Sequence, residues 1–230
     1  MLAQAAKAIG HWLFGGTCFL CHGAAQKGLL CAGCDADLPR LSADGCPRCA
    51  LPAAGPCGRC LARPPRFDAT VAALAYAFPA DVLVHALKFR GELAVAPLLA
   101  QLLAQRTTGV ERPDCLVAVP ISERRLRERG YNQALEIARH LARATGVPLA
   151  AQLCQRTRDT LPQTDLPWHE RAANVRGAFV AGSSALGVRI AVVDDVMTTG
   201  ATLNEIAATL KRAGAQSVQN WVVARTPEPG

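Results

Sequence analysis

Along the 230 residues, short continuous apolar runs alternate with stretches in which apolar positions recur every three or four residues. The runs are "ATVAALAYAF" (69–78), "CLVAVP" (115–120), "VRIAVVDD" (188–195) and "SVQNWVVART" (217–226). Each reads as a strand, and the unbroken apolar character suits strands buried on both faces. Between them, "ADVLVHALKFRGELAVAPLLAQLLAQR" (80–106) reads as helix, with breaks expected near Gly91 and again at Pro97. "YNQALEIARHLARATG" (131–146) sets Leu135, Ala138, Leu141 and Ala142 at helical spacing and stops at Gly146, a C-terminal glycine cap. "TLNEIAATLKRAGA" (202–215) is a third helix, with Gly214 past its last turn. Strands alternating with helices predict an α/β fold, a parallel sheet with helices on both faces.

Three stretches fall outside this alternation. The opening "MLAQAAKAIGHWLFGG" carries Lys7 and His11 among its apolar residues, so 2–14 reads as a short amphipathic helix and not as a secretion signal. No stretch reaches the ~20 apolar residues of a membrane span, and a cytoplasmic protein without one is expected. Residues 155–180 are polar with scattered prolines and no clean period, as in a flap over a site. Between 17 and 61 cysteine dominates. The paired prolines of "ARPPRF" (62–67) close that block, because proline continues neither a helix nor a central strand. The expected domains are a small module over 1–62 and the α/β domain over 63–230.

Composition adds two constraints. Aromatic residues are only 5% of the chain while Ala, Leu and Val supply most of the apolar half, which suits an α/β core better than a β-sandwich. The formal net charge of +7 favours phosphates, nucleic acid or other anions as partners.

Eight of the ten cysteines form four C-x-x-C pairs, Cys18/Cys21, Cys31/Cys34, Cys46/Cys49 and Cys57/Cys60. A C-x-x-C turn sets two sulfurs at two corners of a tetrahedron, and two such turns complete a four-thiolate zinc site. Four pairs make two structural Zn2+ sites with no open coordination position. Sequential pairing is the simplest arrangement, and interleaved pairing fits the same spacing. Disulfides, a redox pair and iron–sulfur ligation are the competing readings, but a redox motif needs one pair and not four. Such a small block has little core, so metal would supply most of its folding free energy. Cys115 and Cys154 read as core residues.

In "IAVVDDVMTTGATL" (190–203) two acids end an apolar run and a loop of small and hydroxyl residues leads into a helix. The acids fall at the carboxyl end of a buried parallel strand, the edge where open α/β sheets bind ligands. Small residues let backbone N–H groups approach an anion, and the helix N-terminus adds partial positive charge. The loop therefore reads as a phosphate cradle. Carboxylates repel phosphate but accept hydrogen bonds from a sugar's vicinal hydroxyls, so the pair suits ribose. A plain capping box from Thr202 to Glu205 is the bland alternative, and it leaves the acids unexplained. The stretch resembles the phosphoribosyl pyrophosphate signature of type I phosphoribosyltransferases. That resemblance implies Asp194 and Asp195 on the ribose hydroxyls and Thr198, Thr199, Gly200, Ala201 and Thr202 on the 5′-phosphate.

Four arginines, Arg124, Arg125, Arg127 and Arg129, lie within six residues before Gly130 in "VPISERRLRERGYNQALEIA". An arginine loop at the same sheet edge suits pyrophosphate, since guanidinium forks match phosphate oxygens. With Gly130, Asn132 and Gln133 these arginines form the expected pyrophosphate loop. The flap carries Arg156, Thr160, Gln163, Leu166, Arg171, Asn174 and Phe179. Taken with R-x-R-G-Y-N-Q and the cysteine pairs, that spacing resembles the ComF family, also called the competence protein F or GntX group, over nearly the whole chain. The resemblance implies a double zinc ribbon, a type I phosphoribosyltransferase-like domain, and an association with competence and DNA uptake or with phosphoribosyl compounds. It names no acceptor base.

Two functions follow. As an enzyme, the chain would bind phosphoribosyl pyrophosphate with Mg2+ bridging pyrophosphate and ribose hydroxyls. Asp194 and Asp195 would position the sugar, and Arg127 and Arg129 would stabilise the leaving pyrophosphate. As a binding module, the same site would sense a phosphoribosyl ligand while the zinc module and basic surface meet single-stranded DNA or competence proteins. Phe19, Tyr131 and Trp168 are the candidates for base stacking and read more naturally as packing.

Overall fold

A computed structural model describes residues 16–26, 28–42, 44–159 and 171–227. The helix expected over 2–14 lies outside them, as do Thr160, Gln163, Leu166 and Trp168 of the expected flap.

The chain begins with a short antiparallel ribbon, β1 (Gly16–Thr17) against β2 (Ala24–Ala25), followed by two one-turn helices, α1 (Ala32–Ala36) and α2 (Gly58–Ala62). The module uses one construction twice. Cys18 N–H donates to the Gly23 carbonyl and His22 N–H to the Cys18 carbonyl, at 2.7 and 2.9 Å. In the second half Cys46 N–H donates to the Leu51 carbonyl and Ala50 N–H to the Cys46 carbonyl, at 2.7 and 2.8 Å. His22 and Ala50, each one residue past its C-x-x-C, take the left-handed φ values of 60° and 58°. In each half the next cysteine, Cys31 or Cys57, is the N-cap of the following helix. The unequal spacers hid this tandem repeat in the sequence.

Then come β3 (Ala69–Ala75), α3 (Ala80–Phe89), α4 (Val95–Arg106), β4 (Cys115–Ala118), α5 (Glu123–Arg129) and α6 (Gln133–Thr145). The chain ends through β5 (Cys154–Arg156), α7 (Arg171–Val175), β6 (Phe179–Ala181), β7 (Arg189–Met197), α8 (Ala201–Arg212) and β8 (Ser217–Arg225). Four strands form an all-parallel sheet in the order β3-β8-β7-β4. Every residue of β4 and all but the first of β8 are buried, as the continuous apolar runs required. The flap is clamped at its base, where β5 pairs antiparallel with β6 and sets Arg156 beside Phe179.

Several boundaries differ from expectation. The first strand ends at Ala75 and not at Phe78, once Tyr76 N–H has made its last sheet bond to Arg225. Pro97 does not break its helix. It is the third residue of α4, where its missing N–H has no intrahelical acceptor to lose. The expected face of α6 is rotated: Ala134, Ile137, Ala138 and Leu141 are buried, while Leu135 and Ala142 are partly buried. Positions 134, 137, 138 and 141 make the i, i+3, i+4, i+7 stripe, and each fully buried Leu or Ile contributes about 1.5–3 kcal/mol. The arginine segment is helix and not loop. Ser122 Oγ accepts from the Arg125 N–H, and Gly130 ends the turn at φ 78°, a left-handed position that suits glycine.

The small module closes one side of the sheet. Leu41 N–H donates to the Ala73 carbonyl at 3.0 Å, and Ala75 N–H donates to the Pro39 carbonyl at 2.8 Å. The segment between the two cysteine halves thus covers the outer edge of β3, which would otherwise present unpaired backbone. One apolar core runs from Leu38 and Leu51 of the module to Leu74, Leu83 and Val192. Among the described residues no helix is long and apolar enough to cross a membrane.

Candidate functional site

β7 brings Asp194 and Asp195 to the carboxyl edge of the sheet two residues before its end at Met197. Each carboxylate folds onto the next residue: Asp194 Oδ1 accepts from the Asp195 N–H at 2.9 Å, and Asp195 Oδ1 from the Val196 N–H at 2.8 Å. The loop after them turns at Gly200, which takes φ 78° as the N-cap of α8. A Cβ there would lie 2.6 Å from Met197 Cε, so both backbone and space favour glycine. Thr199 Oγ1 accepts from the Ala201 N–H at 3.0 Å. The capping box from Thr202 to Glu205 is not the arrangement found, because the N-cap is Gly200, two residues before Thr202, and Glu205 accepts from the Gly177 N–H at 2.9 Å.

Acids and loop line one cleft together with Lys88, Arg125 and Arg156. Lys88 was not singled out in the sequence. It stands in the last turn of α3, with its Nζ 3.2 Å from Asp195 Oδ2. α3 therefore starts beside the carboxyl end of β3 and reaches across the sheet edge to β7. Burial, then the charge of Asp195, holds Asp194 well above the usual carboxylate range. Burial pushes Asp195 the same way, but the Lys88 ammonium and hydrogen bonds outweigh it and bring its pKa below the usual value. Lys88 in turn is raised, chiefly by Asp195. Asp194 is thus the member of the pair that holds a proton more tightly, and Asp195 the one that ionises more readily.

Arg125 and Arg156 line the same cleft and lie close enough for their charges to interact. Burial first, and then the charge of Arg125, lowers Arg156 to about 10. Arg156 also stands over the Phe179 ring, 5.5 Å from its centroid. The other arginines of α5 do not line the cleft. Arg124 pairs with Glu128 at 2.9 Å, and Arg127, largely exposed, donates to the Glu123 carbonyl. Arg129 donates to Gln133 Oε1 at 3.0 Å and lies 5.4 Å from the centre of the Phe89 ring. Gln133 and Phe89 both line the cleft. Gly130 and Asn132 shape the turn: Asn132 Oδ1 accepts from the Ala134 and Leu135 N–H groups, and its Nδ2 donates to the Val119 carbonyl. Of the flap residues within the described part, Arg156 lines the cleft, and the Asn174 carbonyl accepts from Arg158. Arg171 opens α7. Tyr131 packs, its hydroxyl donating to the Leu87 carbonyl, and Phe19 lies against the core.

The cysteines assemble by sequential pairing. Cys18, Cys21, Cys31 and Cys34 form one tetrad and Cys46, Cys49, Cys57 and Cys60 the other, with all sulfurs of a tetrad within 4.8 Å. Four thiolates about 2.3 Å from a zinc ion sit about 3.8 Å apart. The Cys21–Cys31 and Cys49–Cys57 separations are 3.7 and 3.5 Å, so both tetrads fit structural Zn2+. Burial opposes ionisation of Cys18 and Cys46, but backbone N–H groups aimed at their sulfurs lower both to about 6. Cys115 and Cys154 are buried core residues, and burial pushes Cys154 to about 12.

The chain matches the Double zinc ribbon domain over residues 9–61 and the Phosphoribosyl transferase domain over residues 130–229. It is 39% identical to DNA utilization protein YhgH of Salmonella typhimurium, over 98% of this chain and 96% of that protein. The same-named protein of Escherichia coli K12 is 37% identical over the same shares. Competence protein F of Haemophilus influenzae is 33% identical, over 92% of this chain and 98% of that protein. With a double zinc ribbon placed ahead of a phosphoribosyltransferase-type sheet, and with full-length relatives of both names, the chain belongs to the ComF family.

Proposed function

We propose that the cleft binds phosphoribosyl pyrophosphate and that the protein transfers its phosphoribosyl group to an acceptor. The observation that carries this reading is the meeting of three features in one cleft: the acid pair, the Thr-Thr-Gly-Ala-Thr loop at the start of α8, and the Arg125–Arg156 pair. Asp195 accepts from one ribose hydroxyl as a carboxylate, and Asp194 completes the pair on the other. Residues 198–202 hold the 5′-phosphate through backbone N–H groups and hydroxyls at a helix N-terminus. Arg125 and Arg156 hold the pyrophosphate, with Arg129 behind Phe89 and with Arg124 and Arg127 adding positive potential from the outer face of α5.

Oxygen donors dominate the acid side of the cleft, which suits a hard cation such as Mg2+. Asp195 is already engaged by Lys88, so the ion would be held mainly by oxygens of the ligand. When bound, it would neutralise charge on the departing pyrophosphate. Loss of pyrophosphate builds negative charge where the fixed arginines stand, and that charge is what they stabilise.

The relatives' names place them in competence and DNA utilisation. By extension we place this chain in the same work and read it as a cytoplasmic protein, with competence proteins or single-stranded DNA meeting its basic surface of net charge +7. Calorimetric titration with phosphoribosyl pyrophosphate and Mg2+, followed by pyrophosphate release against a panel of bases, tests the main reading. Binding with release is expected. Binding with no release from any acceptor selects a ligand sensor, and no binding at all refutes the site assignment.

A further inference from the structure

Arg225 ends β8 with only 1% of its surface exposed, an unusual place for a guanidinium. Its bonds reach the cysteine module, the start of the phosphate loop and its own neighbour Thr226. Nε donates to the carbonyl of Cys49, a member of the second tetrad, at 2.9 Å. Nη1 donates to the carbonyls of Met197 and Thr198 at 3.0 and 2.6 Å, where β7 passes into the phosphate loop. The planar fork fixes the spacing of these acceptors rigidly. A second link runs parallel to it. Arg66 N–H, just past α2, donates to Asn204 Oδ1 in the first turn of α8 at 2.7 Å, and the neighbouring Phe67 ring is buried, 3.9 Å from where a Cβ on Gly200 would stand. Among the described residues no hydrogen bond joins the first tetrad to that loop, and its Cys21 is exposed.

We propose that Arg225 is a positioning residue that couples the second cysteine tetrad to the phosphate loop, so that metal at one and anion at the other stabilise each other. A metal ion holds the Cys46–Cys49 turn and hence the Cys49 carbonyl, and the guanidinium passes that position to Met197 and Thr198. Coupling between two sites is reciprocal. An anion on the loop therefore slows metal loss from the second tetrad and leaves the first unaffected.

The inference rests on the phosphate-loop reading for its ligand arm only. Zinc release from the full-length, zinc-loaded protein is followed with a chromogenic chelator, with and without ribose 5-phosphate. One of the two ions is expected to leave about fivefold more slowly with the ligand present, and Arg225→Gln is expected to abolish the difference. A second arm needs no ligand. Amide hydrogen exchange over 197–202 is compared in the parent, in Cys57→Ser and in Cys21→Ser. Exchange is expected to rise about tenfold in Cys57→Ser and to stay at the parental level in Cys21→Ser. Equal exchange in both cysteine variants overturns the coupling, and so does a ligand effect that persists in Arg225→Gln. If ribose 5-phosphate does not bind the parent, the phosphate-loop reading fails and the exchange arm still decides the coupling.

Discussion

Asp194 sits where burial and a second acid raise its pKa, so the folded chain holds a proton there more tightly than the unfolded chain does. Such a group contributes stability that is fully present below its unfolded pKa of about 3.9. That contribution is lost as pH rises through the higher folded value. Asp194→Asn removes the charge and keeps an oxygen to accept from the Asp195 N–H. It is expected to stabilise the ligand-free fold by about 1 kcal/mol at pH 8, with a smaller gain at pH 5, while ligand binding is lost. Thermal denaturation at the two pH values checks it, and a variant less stable than the parent at pH 8 contradicts the arrangement. Lys88 acts in the opposite sense. Lys88→Met is expected to weaken ribose 5-phosphate binding about tenfold at pH 7, with Lys88→Arg retaining most of it. His22 and Ala50 make a third case, since glycine relieves a left-handed residue. His22→Gly and Ala50→Gly are each expected to stabilise the zinc-loaded protein by about 1 kcal/mol in denaturant. The acid pair was legible in the sequence because adjacent acids at a strand end have little structural use. Lys88 was not, because its partner stands far along the chain and only the path of α3 brings them together. Among four arginines within six residues the sequence favoured Arg127 and Arg129, whereas the helix that forms there brings Arg125 to the cleft.

At the scale of elements, the turn between α5 and α6 carries more structure than its motif announces. Asn132 caps α6 and also ties it to the end of β4 through Val119. Asn132→Ala is expected to cost about 1–2 kcal/mol, read as a lower urea midpoint with an unchanged slope. A ribose 5-phosphate affinity that falls while stability holds would instead place Asn132 in direct contact with the ligand. The four central strands were legible because strands buried on both faces leave unbroken apolar runs. The boundary of α4 and the face of α6 were not. A proline in a first turn costs nothing, and neighbouring stripes of Leu and Ala look alike until tertiary packing selects one.

For the whole molecule, the sequence reads as two modules and does not show how they meet. Residues 39–41 seal the β3 edge through backbone bonds, and backbone pairing leaves no side-chain pattern to read. Metal removal is therefore expected to reach beyond the cysteine module. Chelation of both ions should expose β3, lower the melting temperature of the whole chain and produce light scattering from edge-to-edge association. A chelated protein that stays clear and keeps the parental melting temperature would show that the sheet does not depend on its cover. The cleft, by contrast, is assembled from elements with separate duties. β7 and the start of α8 supply the acids and the loop, while α3 alone brings Lys88 and Phe89 to the same cleft. Of its ten residues Ala80, Leu83, Val84, Ala86 and Leu87 are buried in the core, and Lys88 and Phe89 line the cleft. A change at Lys88 or Phe89 would therefore reshape the cleft while the buried residues of the same helix go on holding it against the core, so that one short helix carries both a share of the fold and a share of the site.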